Sequence, residues 1–190
     1  MEKIISWLKE NLSEERFLHT IGTAQMSKHL AQQFNLDEDK AYLAGLLHDC
    51  AKEYSAEKML EIINNNNLDV SEDELKSKKV WHAPVSAHVA QTLFDINDTE
   101  IIDAIRFHTI GRIGMTDFEK IIYLADKIET NTRNEACFEE LRKELKRTNS
   151  LDKTLLLCAK MTIKSLIERN LNISFQTIDL YNYLLKSSEK

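Results

Sequence analysis

The chain has 190 residues, of which 43% are hydrophobic and 29% charged, and its formal net charge at neutral pH is −6. This length can bury one core, so we expect a single domain. The acidic balance argues against a nucleic-acid-binding surface, which needs clustered basic residues. It leaves room for a small phosphate ligand held by a few local cations.

Helices are predicted along the whole chain. Four glycines and one proline are too few for the turns of a sheet protein and favour helices with short polar connections. A first helix should end near Asn11, and Ser13 is a good N-cap for a second that runs to about Phe34. Pro84 suits the first turn of a later helix, with His82 just before it. Periodicity and capping residues predict further helices after residues 37–39, at 55–63, after 71, and at 100–108, 117–129, 135–146, 151–168 and 177–186. We find no strand pattern and no repeat, so the sequence predicts an all-α, single-domain bundle over residues 1–190.

The cysteines and the apolar runs indicate a compartment. Cys50, Cys137 and Cys158 are far apart, odd in number and without CxxC spacing, which is more typical of a reducing cytoplasm than of a disulfide framework. No base is arranged beside Cys50, so we expect it to be packing rather than a nucleophile. No apolar run reaches the roughly 18 residues of a membrane span, and no signal peptide is visible. We therefore expect a cytoplasmic protein with no membrane partner.

Residues 41–52 are almost wholly apolar until they reach His48 and Asp49, and Lys52 follows three residues later. No proline or β-branched run interrupts the stretch, so we expect it to be helical. Helical steps back from His48 reach three small residues, Ala41, Ala44 and Gly45, which should let neighbouring helices approach closely. A buried imidazole and carboxylate are costly to desolvate unless a charged group receives them, and we favour a metal ion.

Other histidines and acids fall on apolar faces or at helix ends. His19 shares an apolar face with Gly22, whereas His29 lines up with glutamines on a solvated face. The candidates from five segments are His19, His48, Asp49, His82, His108 and Asp126. Each alone is more often structural, but together these nitrogen and oxygen donors suit iron, manganese, zinc or nickel. Six ligands are too many for one catalytic ion with open positions, so we expect two ions bridged by Asp49 and a hydroxide.

The order of these residue types resembles the HD-domain superfamily of metal-dependent phosphohydrolases. The nearest branch is the YqeK-type symmetrical bis(5'-nucleosyl)-tetraphosphatases, bacterial enzymes that act on diadenosine tetraphosphate. The matching motifs lie at residues 16–22, 46–55, 82–85, 104–112 and 119–129. The resemblance covers residues 13–135, whereas the C-terminal helices at 135–188 share only their helical character. Met161, Leu166 and Ile167 on these helices form an apolar stripe, which we expect in the core or an interface.

The resemblance implies an all-helical HD-type fold with a two-metal centre, and iron is the expected metal. By motif position one ion is held by His19, His48, Asp49 and Asp126, and the other by Asp49, His82 and His108. Two departures from the family pattern stand out: Ala83 replaces a usual glycine, and residues 129–133 lack a usual proline.

The same resemblance implies a hydrolase that cleaves diadenosine tetraphosphate symmetrically into two ADP. Two metal ions can lower the pKa of a bridging water enough to supply hydroxide, and they neutralise the phosphoryl oxygens. ADP is a good leaving group, so the site needs positive charge aimed at the polyphosphate rather than a strong general acid. The expected catalytic residues are Asp49, Lys52 and Arg112, and the expected substrate contacts are Lys52, Thr109, Arg112 and Arg133.

Alternatives stay open at this point. A nucleotidase acting on nucleoside mono- or triphosphates would use the same ligands, because the metals contact only phosphate. A non-catalytic sensor that binds metal and nucleotide is a third hypothesis. Lys52 could instead pair with Glu53 or Glu57, and Arg112 could be an ordinary loop cation. His88 lies outside the motif pattern, behind the ligands or at the surface, and the sequence gives no oligomeric state.

Overall fold

The computed structural model describes residues 1–133 and 135–188, and every regular element in that part of the chain is helical. The expected all-α fold is therefore confirmed. The helices are α1 (Glu2–Asn11), α2 (Glu14–Gln33), α3 (Glu38–Leu47), α4 (Ala56–Asn65), α5 (Glu72–Leu75), α6 (His82–Phe94), α7 (Thr99–Phe107), α8 (Asp117–Ile128), α9 (Ala136–Thr148), α10 (Leu151–Glu168) and α11 (Phe175–Ser188). None of these helices is long and apolar enough to cross a bilayer.

Capping residues begin several helices at the predicted positions. The Ser13 side chain caps α2, and two reciprocal capping boxes begin α5 and α8, formed by Ser71 with Glu74 and by Thr116 with Glu119. These signals are local, because a side chain satisfies main-chain N–H groups within one turn of itself. The ends of α4, α9 and α11 lie within two residues of the predicted bounds.

The predicted continuation of α3 through Lys52 is wrong, because the helix ends at Leu47. His48 is the C-cap residue, and its Nδ1 lies 2.7 Å from the carbonyl oxygen of Gly45. The imidazole thus satisfies a carbonyl group left without a partner at the end of the helix. Residues 48–54 continue as turns and a bend.

The start of α6 also differs from the prediction. The helix begins at His82, which was expected to precede it. Trp81 already has helical dihedral angles (φ −62°, ψ −27°), since a 3₁₀ turn at Lys78–Val80 leads into it. Pro84 is the third residue of α6, where its missing N–H leaves no helical hydrogen bond broken.

Helix α8 is the centre of the bundle. Nine of its 12 residues are buried, and it packs against α2, α3, α7, α9 and α10. Helices α2 and α3 approach closely at Gly45, where a Cβ atom would lie 2.7 Å from the Cα of Ala24. The close approach expected of this small-residue face is therefore confirmed. This packing brings together the ends of α3 and α7, the start of α6, the first third of α2 and the last turn of α8.

The three cysteines and the apolar stripe on the C-terminal helices differ in how deeply they are buried. Cys50 and Cys158 are buried and Cys137 is exposed, and all three are unpaired. Burial raises the pKa of Cys50 to about 12, so its thiol is packing, as expected. On α10, Met161 and Leu166 are half-buried, but Ile167 is 60% exposed and does not belong to the core.

Candidate metal centre

The six candidate ligands come together in the interior, although they lie on five separate segments. All are 5% exposed or less. His19 projects from α2, His48 and Asp49 follow the end of α3, and His82 begins α6. The set is completed by His108 after α7 and by Asp126 in α8. Such a concentration of imidazoles and carboxylates in a core is costly unless their charges and lone pairs are matched.

Asp49 lies between two pairs of histidines. Its Oδ2 atom is 3.6 Å from His48 Nε2 and 4.0 Å from His19 Nε2. Its Oδ1 atom is 3.1 Å from His82 Nε2 and 3.4 Å from His108 Nε2. The two oxygens of one carboxylate therefore face two different halves of the cluster.

Asp126 belongs to the first of these halves. Its Oδ1 lies 2.9 Å from His19 Nε2 and 4.0 Å from His48 Nε2. The ligand atoms of His19, His48 and Asp126 lie within 4.8 Å of one another, as do those of His48, Asp49 and His108. Both groups are compact enough to hold a cation.

The unpaired atoms of the cluster test whether a metal would fit. Nδ1 of His48 and of His108 each lie 2.7 Å from a main-chain carbonyl oxygen, so each of these nitrogens carries a proton. Each ring then turns the lone pair of Nε2 inward. His48 Nε2 and Asp49 Oδ1 are buried without a hydrogen-bond partner in the described part of the chain. Buried acceptors without donors are unfavourable, so this donor set fits a transition-metal ion.

The ionisation states favour metal ligation as well. Burial lowers the pKa of His48 to about 3 and that of His82 to about 4, so both rings are neutral at neutral pH. Burial opposes ionisation of Asp49, yet His48, His82 and Lys52 hold its pKa well below the usual value. Asp126 is likewise ionised despite burial, because Lys127 and the neighbouring histidines lower its pKa. Neutral imidazoles and ionised carboxylates are the forms that bind metals.

Acid should destabilise the metal-free protein. Unfolding releases His48 and His82 to the ordinary pKa of about 6.5, so below this pH the unfolded chain binds up to two more protons than the folded chain. Although burial opposes it, neighbouring carboxylates raise the pKa of His19, so this ring does not add to the loss of stability in acid. The free energy of unfolding should fall by roughly 2 kcal/mol between about pH 6 and pH 5, measured by urea unfolding of chelator-treated protein. An unchanged value would contradict the buried, neutral state of the two rings.

Glu129 positions His19, a role that the sequence did not reveal. Its Oε1 atom lies 3.2 Å from His19 Nδ1, and the residue is fully buried. The carboxylate also accepts hydrogen bonds from the N–H groups of Asn131 and Thr132. A Cβ on Gly22 would lie 2.3 Å from Glu129 Oε2, so this glycine makes room for the carboxylate. The available signal was the position of Glu129 three residues after Asp126, directly after the last residue of α8.

Replacing Glu129 with glutamine should weaken metal binding while the fold persists. The neutral amide no longer fixes the His19 ring, and loss of such an outer partner typically costs about 10–100-fold in metal affinity. Competition against a chelator of known affinity measures the change. Glu10→Gln, at an exposed position on α1, is the matched control and should leave the affinity unchanged. Equal affinities for the two variants would show that Glu129 is not needed to orient His19.

Two cations face Asp49. The Nζ atom of Lys52 lies 2.8 Å from His82 Nε2 and 3.6 Å from Asp49 Oδ1, and Nη1 of Arg16 lies 2.9 Å from Asp49 Oδ2. Both side chains remain about 30% exposed, so they connect the centre to solvent. The sequence analysis selected Lys52 but gave Arg16 no role. Arg16 lies three residues before His19, one turn away on the same helix face, and this spacing was the available signal.

Two further cations face Asp126. Lys127 Nζ is 2.5 Å from Asp126 Oδ2, and Arg133 Nη2 is 3.2 Å from Asp126 Oδ1. The Arg133 Nε–H also donates to the Asp126 carbonyl oxygen at 3.1 Å. Arg133, an expected substrate contact, thus lies beside the centre. Lys127 had no assigned role, although it directly follows Asp126.

Arg112 and Thr109 are placed differently from each other. Arg112 Nη2 forms ion pairs with Glu119 at 2.6 Å and with Asp103 at 2.9 Å, and its guanidinium stacks on Phe107. Its charge is thus matched by two carboxylates that are not among the six ligands. The Thr109 hydroxyl is buried and has no hydrogen-bond partner in the described chain. His88, outside the motif pattern, is half-buried.

Comparisons with known proteins give the family. The sequence profile of the HD domain matches residues 16–131. Symmetrical bis(5'-nucleosyl)-tetraphosphatases are similar over nearly their whole length: that of Bacillus subtilis is 37% identical, with 98% of each chain covered, and that of Staphylococcus aureus is 35% identical, with 100% of this chain and 97% of the relative covered.

A solved structure agrees with these relatives. The crystal structure of a predicted HD superfamily hydrolase involved in NAD metabolism from Clostridium acetobutylicum is 36% identical in sequence and has a TM-score of 0.92, covering 98% of this chain and 97% of that one. The match therefore extends to the C-terminal helices as well as to the motifs. Since the profile spans more than half of the chain and the relatives span almost all of it, the chain belongs to the HD domain family of phosphohydrolases, alongside the symmetrical bis(5'-nucleosyl)-tetraphosphatases.

Proposed function

We propose that this protein hydrolyses diadenosine tetraphosphate symmetrically and releases two molecules of ADP. The observation that carries the proposal is the position of Asp49, whose two carboxylate oxygens face two separate pairs of inward-directed imidazoles. The relatives that match this chain over nearly its whole length carry the name of that activity. We take the whole chain as one functional unit, with the motif core at 13–135 and the C-terminal helices at 135–188.

We further propose that the centre holds two metal ions. His19, His48, Asp49 and Asp126 would hold one, and Asp49, His82 and His108 the other. Iron is our first candidate, and the mixed nitrogen and oxygen donors would also accept manganese, nickel or zinc. Such ions, when bound, supply Lewis-acid chemistry that activates water and neutralises phosphoryl oxygens.

The protein's own side chains supply the rest of the chemistry. Asp49 would orient the two halves of the centre relative to each other. Lys52, which lies beside Asp49, and Arg133, which lies beside Asp126, would bind the polyphosphate. Thr109 would offer its unpaired hydroxyl to a phosphate oxygen. For Arg112 to bind phosphate, its guanidinium would have to leave Glu119. Because the three cysteines are unpaired, we propose a reducing, cytoplasmic setting.

Product analysis tests the proposed reaction directly. Metal-loaded protein is incubated with diadenosine tetraphosphate, and the nucleotides are separated by anion-exchange chromatography. ADP as the sole product supports the proposal. ATP plus AMP would reject symmetrical cleavage. Free phosphate released from a nucleoside mono- or triphosphate, with the dinucleotide left intact, would favour a nucleotidase. Nucleotide binding that survives without any hydrolysis would favour a sensor.

Replacing Lys52 with alanine should impair substrate binding more than metal binding. The Lys52 side chain is 30% exposed and its ammonium lies 3.6 Å from Asp49, where it can pair with a phosphate, whereas the six ligands stay in place. We expect KM for diadenosine tetraphosphate to rise about tenfold, with unchanged metal content. Lys160→Ala, exposed on α10, is the control. If the Lys52 variant lost its metal but regained full activity on refilling, Lys52 would act in metal retention instead.

A further inference from the structure

An open groove lies between α9 and α10, on the side of α8 that carries Lys127. We define this α9–α10 groove by the residues that line its length, Phe138, Leu141, Met161, Thr162, Ser165 and Leu166. Its volume is about 590 Å³, within the range of small-molecule sites in proteins. Met161 and Leu166, the half-buried residues of the apolar stripe on α10, line this groove, which explains why the core does not cover their side chains.

We propose that the α9–α10 groove receives one nucleoside of the substrate, while the attached phosphates run over Lys127 and Arg133 to the metal centre. The inference rests on the proposed function, because it assigns a subsite for the same dinucleotide. It gives the C-terminal helices a task that the motifs do not supply.

The first support is that the groove and the centre share a wall. Lys127 and Arg133 line the groove, and both also contact the carboxylate of Asp126. A single layer of side chains thus separates the ligand cluster from the groove. These two cations lie where a phosphate chain leaving the centre would need neutralisation.

The second support is the chemistry of the groove walls. Phe138 offers an aromatic ring, with the Arg133 guanidinium 5.4 Å from its centroid, and Met161 and Leu166 add apolar surface. Thr162 and Ser165 place hydroxyl groups among these apolar side chains. An aromatic and apolar surface with a few hydroxyls suits a purine base and its ribose, since bases stack on aromatic rings and hydrogen-bond at their edges.

A competing groove lies between α6 and α7 and has a smaller volume of about 320 Å³. It is lined by His88, Phe107 and Arg112. Arg112 pairs with Glu119 and Asp103, which are not among the six ligands. By contrast, Lys127 and Arg133 of the α9–α10 groove contact the ligand Asp126. The α9–α10 groove is the better candidate for a nucleoside joined to bound phosphates.

Equilibrium binding separates the nucleoside subsite from the phosphate site. The metal-loaded protein is titrated calorimetrically with ADP and, separately, with methyl diphosphate, which carries the same phosphates without a nucleoside. We expect ADP to bind at least about tenfold more tightly. Ser165→Tyr, which fills the groove, should remove this advantage and leave the affinity for methyl diphosphate unchanged. Ser6→Tyr, the same change at an exposed position of α1, is the matched control.

Phe138→Leu provides a second variant, which keeps an apolar side chain but removes the ring. It too should bind ADP more weakly and methyl diphosphate normally, and metal content and melting temperature report whether each variant is folded. Unchanged ADP affinity in both folded variants would overturn the proposal, as would equal affinity of the wild type for the two ligands. If the wild type prefers ADP through the groove but does not cleave diadenosine tetraphosphate, the subsite stands and the proposed function fails.

Discussion

Replacing Asp49 with alanine is expected to remove metal from the centre and to abolish hydrolysis. One carboxylate faces all four imidazoles, so its loss deprives both halves of the cluster of an anionic ligand at once. Lewis-acid stabilisation by bound metals is worth several kcal/mol, so we expect the rate to fall by about a thousandfold or more. The measurements are metal content by atomic emission and the rate of ADP release.

The control for this variant is Asp39→Ala, because the Asp39 side chain is 93% exposed. The control should retain metal, activity and the rise in melting temperature that a bound ion confers. His48→Ala should behave like the Asp49 variant, since its imidazole belongs to both compact ligand groups. An Asp49 variant that kept two equivalents of metal per chain would refute the bridging role.

Replacing Gly45 with alanine should destabilise the protein, although alanine normally favours a helix over glycine by about 0.5–1 kcal/mol. The added Cβ would lie 2.7 Å from the Cα of Ala24 and 2.8 Å from the Ser27 hydroxyl oxygen, and the contact with the main chain of Ala24 cannot be relieved by turning a side chain. Overpacking of this kind costs about 1–3 kcal/mol. Urea unfolding of the metal-free protein measures the loss.

The same substitution should weaken metal binding, because the carbonyl of Gly45 holds the His48 ring. Gly114→Ala is a useful comparison, since no atom lies within 4 Å of the added Cβ and only the positive φ of 73° is strained. We expect Gly114→Ala to lower stability modestly with no change in metal affinity. A Gly45 variant more stable than the wild type would mean that the two helices have room to separate.

The sequence predicted those elements whose signals are local. The capping boxes of Ser71 and Thr116 begin their helices within a few residues, so no distant contact is needed to place them. The end of α3 was mispredicted for the opposite reason. Propensity favours continuing through Lys52, but the turn is favoured by His48 capping the helix and by Asp49 facing residues from other segments.

The residues of the candidate site also divide into those that the sequence could identify and those whose role depends on contacts across the fold. Residue type and motif order were enough to select the six side chains that converge, because imidazoles and acids on apolar faces are unusual. Arg16 and Glu129 were missed, since their value depends on which ligand they reach across the fold. Arg112 shows the converse: it follows His108 closely in sequence, yet its ion pairs are with Glu119 and Asp103, neither of which is a candidate ligand. Its contact with phosphate stays a prediction.

His48 and His108 are oriented by the same kind of hydrogen bond to the main chain. Each follows the last residue of a helix and gives its Nδ1 proton to the carbonyl three positions earlier, on Gly45 and Ile105. The orientation of both rings is therefore fixed by the main chain before any ion binds. This part of the metal centre forms during folding. After chelation the protein should therefore take up metal again as fast as an ion can enter, with no refolding step.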